Sequence, residues 1–202
     1  MRIGLTGGIG SGKSTVAGFL REAGAALVDT DAISRSLTLP GGAAMPAIAQ
    51  AFGADFVTAD GALDRDRMRA LAFSDATAKR RLEAILHPLI TAEALAQADA
   101  ARSAPLVVFD VPLLVESGRW RARVSRILVV DCPVETQIAR VLQRPGWTRE
   151  RVDGALAAQT TREARRAAAD AVLLNDGLTL LALRNEVLGQ AARWGCETMH
   201  TP

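Results

Sequence analysis

Apolar positions along the chain fall into two kinds of pattern. Nearly unbroken, β-prone runs occur at RIGLT (2–6), ALVD (26–29), LVVFD (106–110), RILVVD (126–131) and AVLLN (171–175). Between them, apolar residues recur at helical spacing. Strands that are apolar on both faces and alternate with helices predict a parallel sheet covered on each side, so the fold class is α/β, with five strands and right-handed crossovers. The interval between the second and third runs is too long for one crossover helix. It predicts a helical subdomain inserted over about residues 32–104, since long structureless loops are rare in compact domains. This insertion opens with a loop at LPGGAAMP (39–46), passes ADGALDRD (59–66) and carries Leu82, Ile85, Leu86, Leu89 and Ile90 at helical spacing. Pro88 falls within that stripe, which places His87 at a kink or helix junction.

The first strand run leads directly into GGIGSGKST (7–15). Gly7, Gly12, Lys13 and Ser14 satisfy G-x-x-x-x-G-K-[ST] between a predicted strand and a predicted helix, the context in which this spacing cradles a triphosphate. Glycines let the backbone take positive φ and wrap successive N–H groups around the β-phosphate. A helix starting near Lys13 adds its positive end. Lys13 is placed to reach the β and γ oxygens, Ser14 to ligate Mg²⁺ and Thr15 to touch the α-phosphate. Gly8, Ile9, Gly10, Ser11 and Gly12 complete the candidate ATP-binding loop. The lysine stands out because only Lys13 and Lys79 among 24 basic residues are lysines.

Composition narrows the alternatives. A chain of 202 residues with 49% hydrophobic content can bury a full core, consistent with one domain carrying an insertion. The first residues leave no room for a secretory signal, and no apolar run approaches the roughly 20 residues needed to cross a bilayer. Cys132 and Cys196 show no metal-ligand spacing, so reduced thiols and a cytoplasmic location are expected. A net charge of +2 argues against a general nucleic-acid or membrane binder. Nothing in the chain signals an obligate protein partner.

Other groups bear on the phosphate acceptor. In VDTDAISR (28–35), Asp29 and Asp31, read as alternate residues of an extended segment, emerge on one side at the carboxyl end of the sheet, where open α/β folds bind ligands. One carboxylate there can take or orient a hydroxyl proton and another can hold a metal-bound water, while Asp31 also suits a helix cap. Asp110 closes the third strand, either as a carboxylate reaching toward Mg²⁺ or as a loop-forming aspartate before Pro112. Between residues 140 and 166, Arg140, Arg144, Arg149, Arg151, Arg162, Arg165 and Arg166 stand against Glu150, Asp153 and Glu163. That excess suits a lid whose guanidinium forks close over transferring phosphate, or a solvated helix face. Asn175 either contacts an adenine edge or begins the NDG turn.

Several segments, in this order, resemble the dephospho-CoA kinases: TGGIGSGKST (6–15), VDTDAISR (28–35), ADGALDR (59–65), HPLI (87–90), VPLLVESG (111–118), QIARVLQR (137–144), AAQTTREAR (157–165) and LLNDG (173–177). The resemblance covers nearly the whole chain. It implies a nucleotide-binding core, a helical acceptor-binding insertion and a lid over about 137–167, with ATP-dependent phosphorylation of the ribose 3′-hydroxyl of dephospho-CoA. By that match Asp31 is the base or orienting group, and Lys13 and Arg140 meet the phosphoryl group. Arg65, His87, Leu113, Leu114 and Glu116 join Asp31 on the acceptor side, and Asn175 lies near adenine. One departure is the PGW (145–147) after Arg144, where the family often carries an acid. A competing reading is another small-molecule kinase with the same loop. A nucleotide switch or motor fits less well, because no NKxD-type segment appears and Val111, not a second acid, follows Asp110.

Overall fold

The computed structural model describes residues 1–196. Its five-stranded sheet runs in the order β2-β3-β1-β4-β5, formed by β1 (Arg2–Gly7), β2 (Ala26–Asp29), β3 (Val107–Asp110), β4 (Arg126–Asp131) and β5 (Ala171–Leu174). The pairs β1–β3, β1–β4 and β4–β5 are parallel. The chain resolves into two compact units, residues 29–100 and the remainder.

In the larger unit, α1 (Lys13–Glu22) and α10 (Leu180–Arg193) share one core with the sheet. Val16, Leu20, Leu183 and Val187 interleave there with Ile3, Leu5, Val108, Leu128 and Val130, all nearly inaccessible to solvent. Near-complete burial along β1, β3 and β4 explains their near-continuous apolar sequences, while β5, with Val172 and Leu174 exposed, sits at the sheet edge. The same unit carries the short α6 (Leu114–Ser117) and the three helices α7 (Val134–Leu142), α8 (Arg149–Ala157) and α9 (Arg162–Ala167). Thr148, Thr161 and Thr179 cap α8, α9 and α10, each side chain accepting from the backbone N–H three residues on, which satisfies an otherwise orphaned donor.

The smaller unit is helical: α2 (Thr30–Ser36), α3 (Met45–Phe52), α4 (Arg65–Ser74) and α5 (Ala76–Ala100). Met45, Ile48, Leu63 and Met68 form its core, with Leu82, Ile85, Leu86 and Leu89 of α5 packed against them. Of the kink or helix junction expected at His87, the junction is absent. The helix runs through Pro88 without interruption. Proline removes the bond to the carbonyl four residues back, but Ala84 and Pro88 are both exposed, so water can serve that carbonyl.

The placement of Asp29 and Asp31 also differs from expectation. The extended segment ends at Asp29 and α2 begins at Thr30, so the two carboxylates are not alternate residues of one strand. Asp29 is the cap, its Oδ1 accepting from Ala32 N at 2.9 Å. Asp31 is left exposed in the first turn of α2.

Candidate active site

The loop between β1 and α1 is built by two glycines in the left-handed region, Gly10 (φ 75°) and Gly12 (φ 92°). Side chains would be strained at both, and one at Gly12 would also overlap the Asn175 amide. Ser11 N donates to Gly8 O at 3.0 Å, and Gly12 O accepts from Thr15 N and Val16 N as α1 begins. The loop's carbonyls are engaged from outside: Asn175 Nδ2 donates to Ser11 O at 2.8 Å, and Arg140 Nη1 lies 3.4 Å from Gly10 O. With these carbonyls engaged, the first N–H groups of α1, which have no partner within the helix, form an anion-binding arrangement.

Lys13 forms an ion pair with Asp110 at the end of β3. Asp110 is only 7% exposed, so the carboxylate holds the ammonium at the loop rather than in bulk solvent. Ser14 is exposed at the head of the helix, and Thr15 is half-buried behind it. Asp110 was legible only as one of two alternatives, because its pairing with Lys13 spans 97 residues.

The arginine-rich stretch is more internally committed than its charge excess suggests. Arg162 grips buried Asp131 with two nitrogens at 2.8–3.0 Å, and Arg166 adds a contact at 3.4 Å. This pairing holds the Arg162 guanidinium even more firmly protonated than usual. Arg165 is 4% exposed and donates to Thr160 O at 2.9 Å. Arg149 pairs with Asp153 on its own helix, and Arg151 donates to Gly146 O. Burial pushes the Cys132 thiol up, so this cysteine, inaccessible beside the loop, remains a neutral packing group.

Gln159 was not anticipated as a site residue. It lies in the connector between α8 and α9, and its Oε1 accepts from Ile9 N at 3.0 Å. In the next residue, Thr160 N donates to Glu116 Oε1 at 2.9 Å. Gln137, also unanticipated, is 2% exposed and donates to Cys132 O. A cavity of about 580 Å³ is lined by Gln137, Gln159, Thr160, Arg162 and Arg165 among others, adjoining the loop through Gln159.

Sequence-predicted acceptor residues separate in the structure. Leu113 is 46% exposed, whereas Leu114 is 1% exposed and packs into the space left by Gly4. Leu114 is therefore a core residue and cannot line an open pocket. Glu116 is committed to the α8–α9 connector. Asn175, expected near adenine, is 6% exposed with its amide nitrogen bonded to the loop. Within the helical unit, exposed Arg65 donates to Thr38 Oγ1 at 2.6 Å and to Arg35 O at 3.2 Å, beside a groove of about 210 Å³ lined by Ser34, Met68 and Leu86. His87 is half-buried on α5.

Comparison with known proteins bears on the acceptor. Residues 1–180 match the family described as dephospho-CoA kinase. A dephospho-CoA kinase from Burkholderia lata is 63% identical over 185 residues, 92% of this chain and 91% of that protein. Among solved structures, a Thermus thermophilus protein superposes with a TM-score of 0.82 at 35% identity, covering 96% of each chain. A dephospho-CoA kinase from Campylobacter jejuni superposes with a TM-score of 0.71 at 23% identity, also covering 96% of each, and supports the fold.

Proposed function

The chain belongs to the dephospho-CoA kinase family, and from that premise we propose how its residues divide the work of moving the γ-phosphoryl group of ATP to the ribose 3′-hydroxyl of dephospho-CoA. The observation that carries the reading is Lys13 held by Asp110 at the loop between β1 and α1. Phosphoryl transfer needs little covalent help from protein; it needs an aligned nucleophile and fixed positive charge. The backbone N–H groups of the Gly8–Thr15 loop that are not already donated, those of Gly10, Gly12, Lys13 and Ser14, bind the phosphates, and Lys13 neutralises charge on the β and γ oxygens.

Among the described residues no cluster of three His, Cys, Asp or Glu side chains could hold a metal alone. An exposed Ser14 hydroxyl and the Asp110 carboxylate instead fit Mg²⁺ that keeps several waters and takes its other ligands from phosphate. Ser14 would ligate it directly and Asp110 through water. When bound, the ion would supply positive charge against the phosphate oxygens.

On the acceptor side, Asp31 orients the ribose hydroxyl and takes its proton as the new oxygen–phosphorus bond forms and the γ-phosphorus parts from the β-phosphate oxygen. About residues 32–104 form the acceptor-binding insertion, with Arg65 and His87 as contacts, and about residues 137–167 form the lid. Leu113, not Leu114, is the apolar acceptor contact. Among the described residues no helix is long and apolar enough to span a membrane, and a cytoplasmic enzyme is the reading that fits a coenzyme-synthesising kinase.

Asp31→Asn tests the base assignment. Turnover with dephospho-CoA should fall by about a hundredfold or more, while ATP affinity stays within about twofold because the phosphate loop is untouched. Turnover near that of the unaltered enzyme would remove Asp31 from this role.

A further inference from the structure

We infer that Gln159 is a positioning residue for the γ-phosphoryl group, presenting its side-chain amide as a hydrogen-bond donor at the open end of the phosphate loop. The inference rests on the ATP-binding reading of that loop. Ile9 N–H can be accepted only by the oxygen of the Gln159 amide, and Oε1 occupies that place at 3.0 Å. The orientation of the amide is thereby chosen by the backbone. Its Nε2 donor is left for the cavity that Gln159 lines with Arg162 and Arg165.

Location assigns the γ-phosphate. The head of α1, at Ser14 and Thr15, takes the α- and β-phosphates, and Lys13 reaches the β and γ oxygens. Read backward from the helix, the start of the loop at Gly8 and Ile9 lies toward the γ end. Buried Arg165 stands beside Gly8, where its Nη1 would lie 3.0 Å from any added Cβ, and Gln137 Oε1 would lie 2.8 Å from it. The buried Nε of Arg165 has no hydrogen-bond partner.

The connector is pinned at Thr160, the residue after Gln159, while Gln159 N itself donates to Leu156 O at 3.1 Å. Thr160 N is held by Glu116, and Arg165 Nη2 donates to Thr160 O. Gln159 therefore approaches Ile9 from a fixed backbone, the condition for a donor that need not reorganise during reaction. In the reaction it would stabilise charge on the γ-phosphoryl oxygens while the attacking hydroxyl and Asp31 carry the proton.

Comparing Gln159→Glu with Gln159→Ala separates this role from simple bracing. A glutamate keeps an oxygen for Ile9 N–H but replaces the donor with negative charge; alanine removes both. The positioning role predicts that Gln159→Glu is the more damaging change, with ATP affinity and kcat/KM for ATP each reduced about tenfold or more. ADP affinity should stay within about twofold of the unaltered protein, since ADP lacks the group sensed. Titration calorimetry with ATP and ADP, alongside turnover with dephospho-CoA, reads all three quantities. A glutamate variant equal to or better than the alanine variant, or equal weakening of ATP and ADP, would overturn the inference. Failure of the unaltered protein to phosphorylate dephospho-CoA while binding ATP would instead count against the acceptor reading.

Discussion

Leu113 and Leu114 are neighbours in sequence and opposites in environment, at 46% and 1% exposure. Resemblance alone places both on the acceptor side; burial assigns them different work. Leu114→Ala should cost about 2–4 kcal/mol by opening a cavity against Gly4 and lower the melting temperature measured by calorimetry. Leu113→Ala should leave melting unchanged and raise KM for dephospho-CoA. Unchanged melting in the Leu114 variant would contradict its core assignment. Similar reasoning applies at Asn175: its carboxamide, bonded to Ser11 O, braces the loop backbone where a local reading saw either an adenine contact or a turn.

At the scale of elements, α9 is fastened to the end of β4 by Arg162 and Arg166 on the buried carboxylate of Asp131. Removing one arginine leaves that carboxylate under-compensated, although Arg166 remains and Arg162 is 29% exposed. Arg162→Ala should therefore cost about 2 kcal/mol, less than loss of a fully buried partner, and lower the melting temperature by about 4–8 °C. Unchanged melting would mean the pair contributes little. The central strands were legible in the chain because burial along their whole length demands uninterrupted apolar runs such as RILVVD. The phosphate loop was legible because its glycine spacing is local. By contrast, the start of α2 was misread: Asp29 and Asp31 alternate as in a strand, yet capping by Asp29 turns the chain helical one residue later. Pro88 does not end the helix, and the exposure of Ala84 lets water take up the carbonyl left without a bond. Gln159 escaped notice because its partner Ile9 lies 150 residues away, and no local pattern distinguishes it from an ordinary helix-end glutamine.

The whole molecule resolves into two compact units. The loop's partners Gln159, Arg140 and Asn175, and Asp110 on Lys13, belong to the sheet unit, and its carboxyl end is where open α/β sheets place ligands. The helical unit has its own small core and follows the strand that ends at Asp29. A loop that binds triphosphate explains ATP but leaves the acceptor open, because the same core serves many phosphotransferases. Family membership supplies the acceptor. The most direct measurement is a coupled ADP-release assay with ATP and Mg²⁺, comparing dephospho-CoA with AMP and gluconate and determining product mass. The account predicts rapid ADP release with dephospho-CoA alone and a product heavier by one phosphoryl group on the ribose 3′-oxygen. ADP release that ignores the acceptor, or a phosphorylated product from AMP or gluconate at a comparable rate, would contradict it.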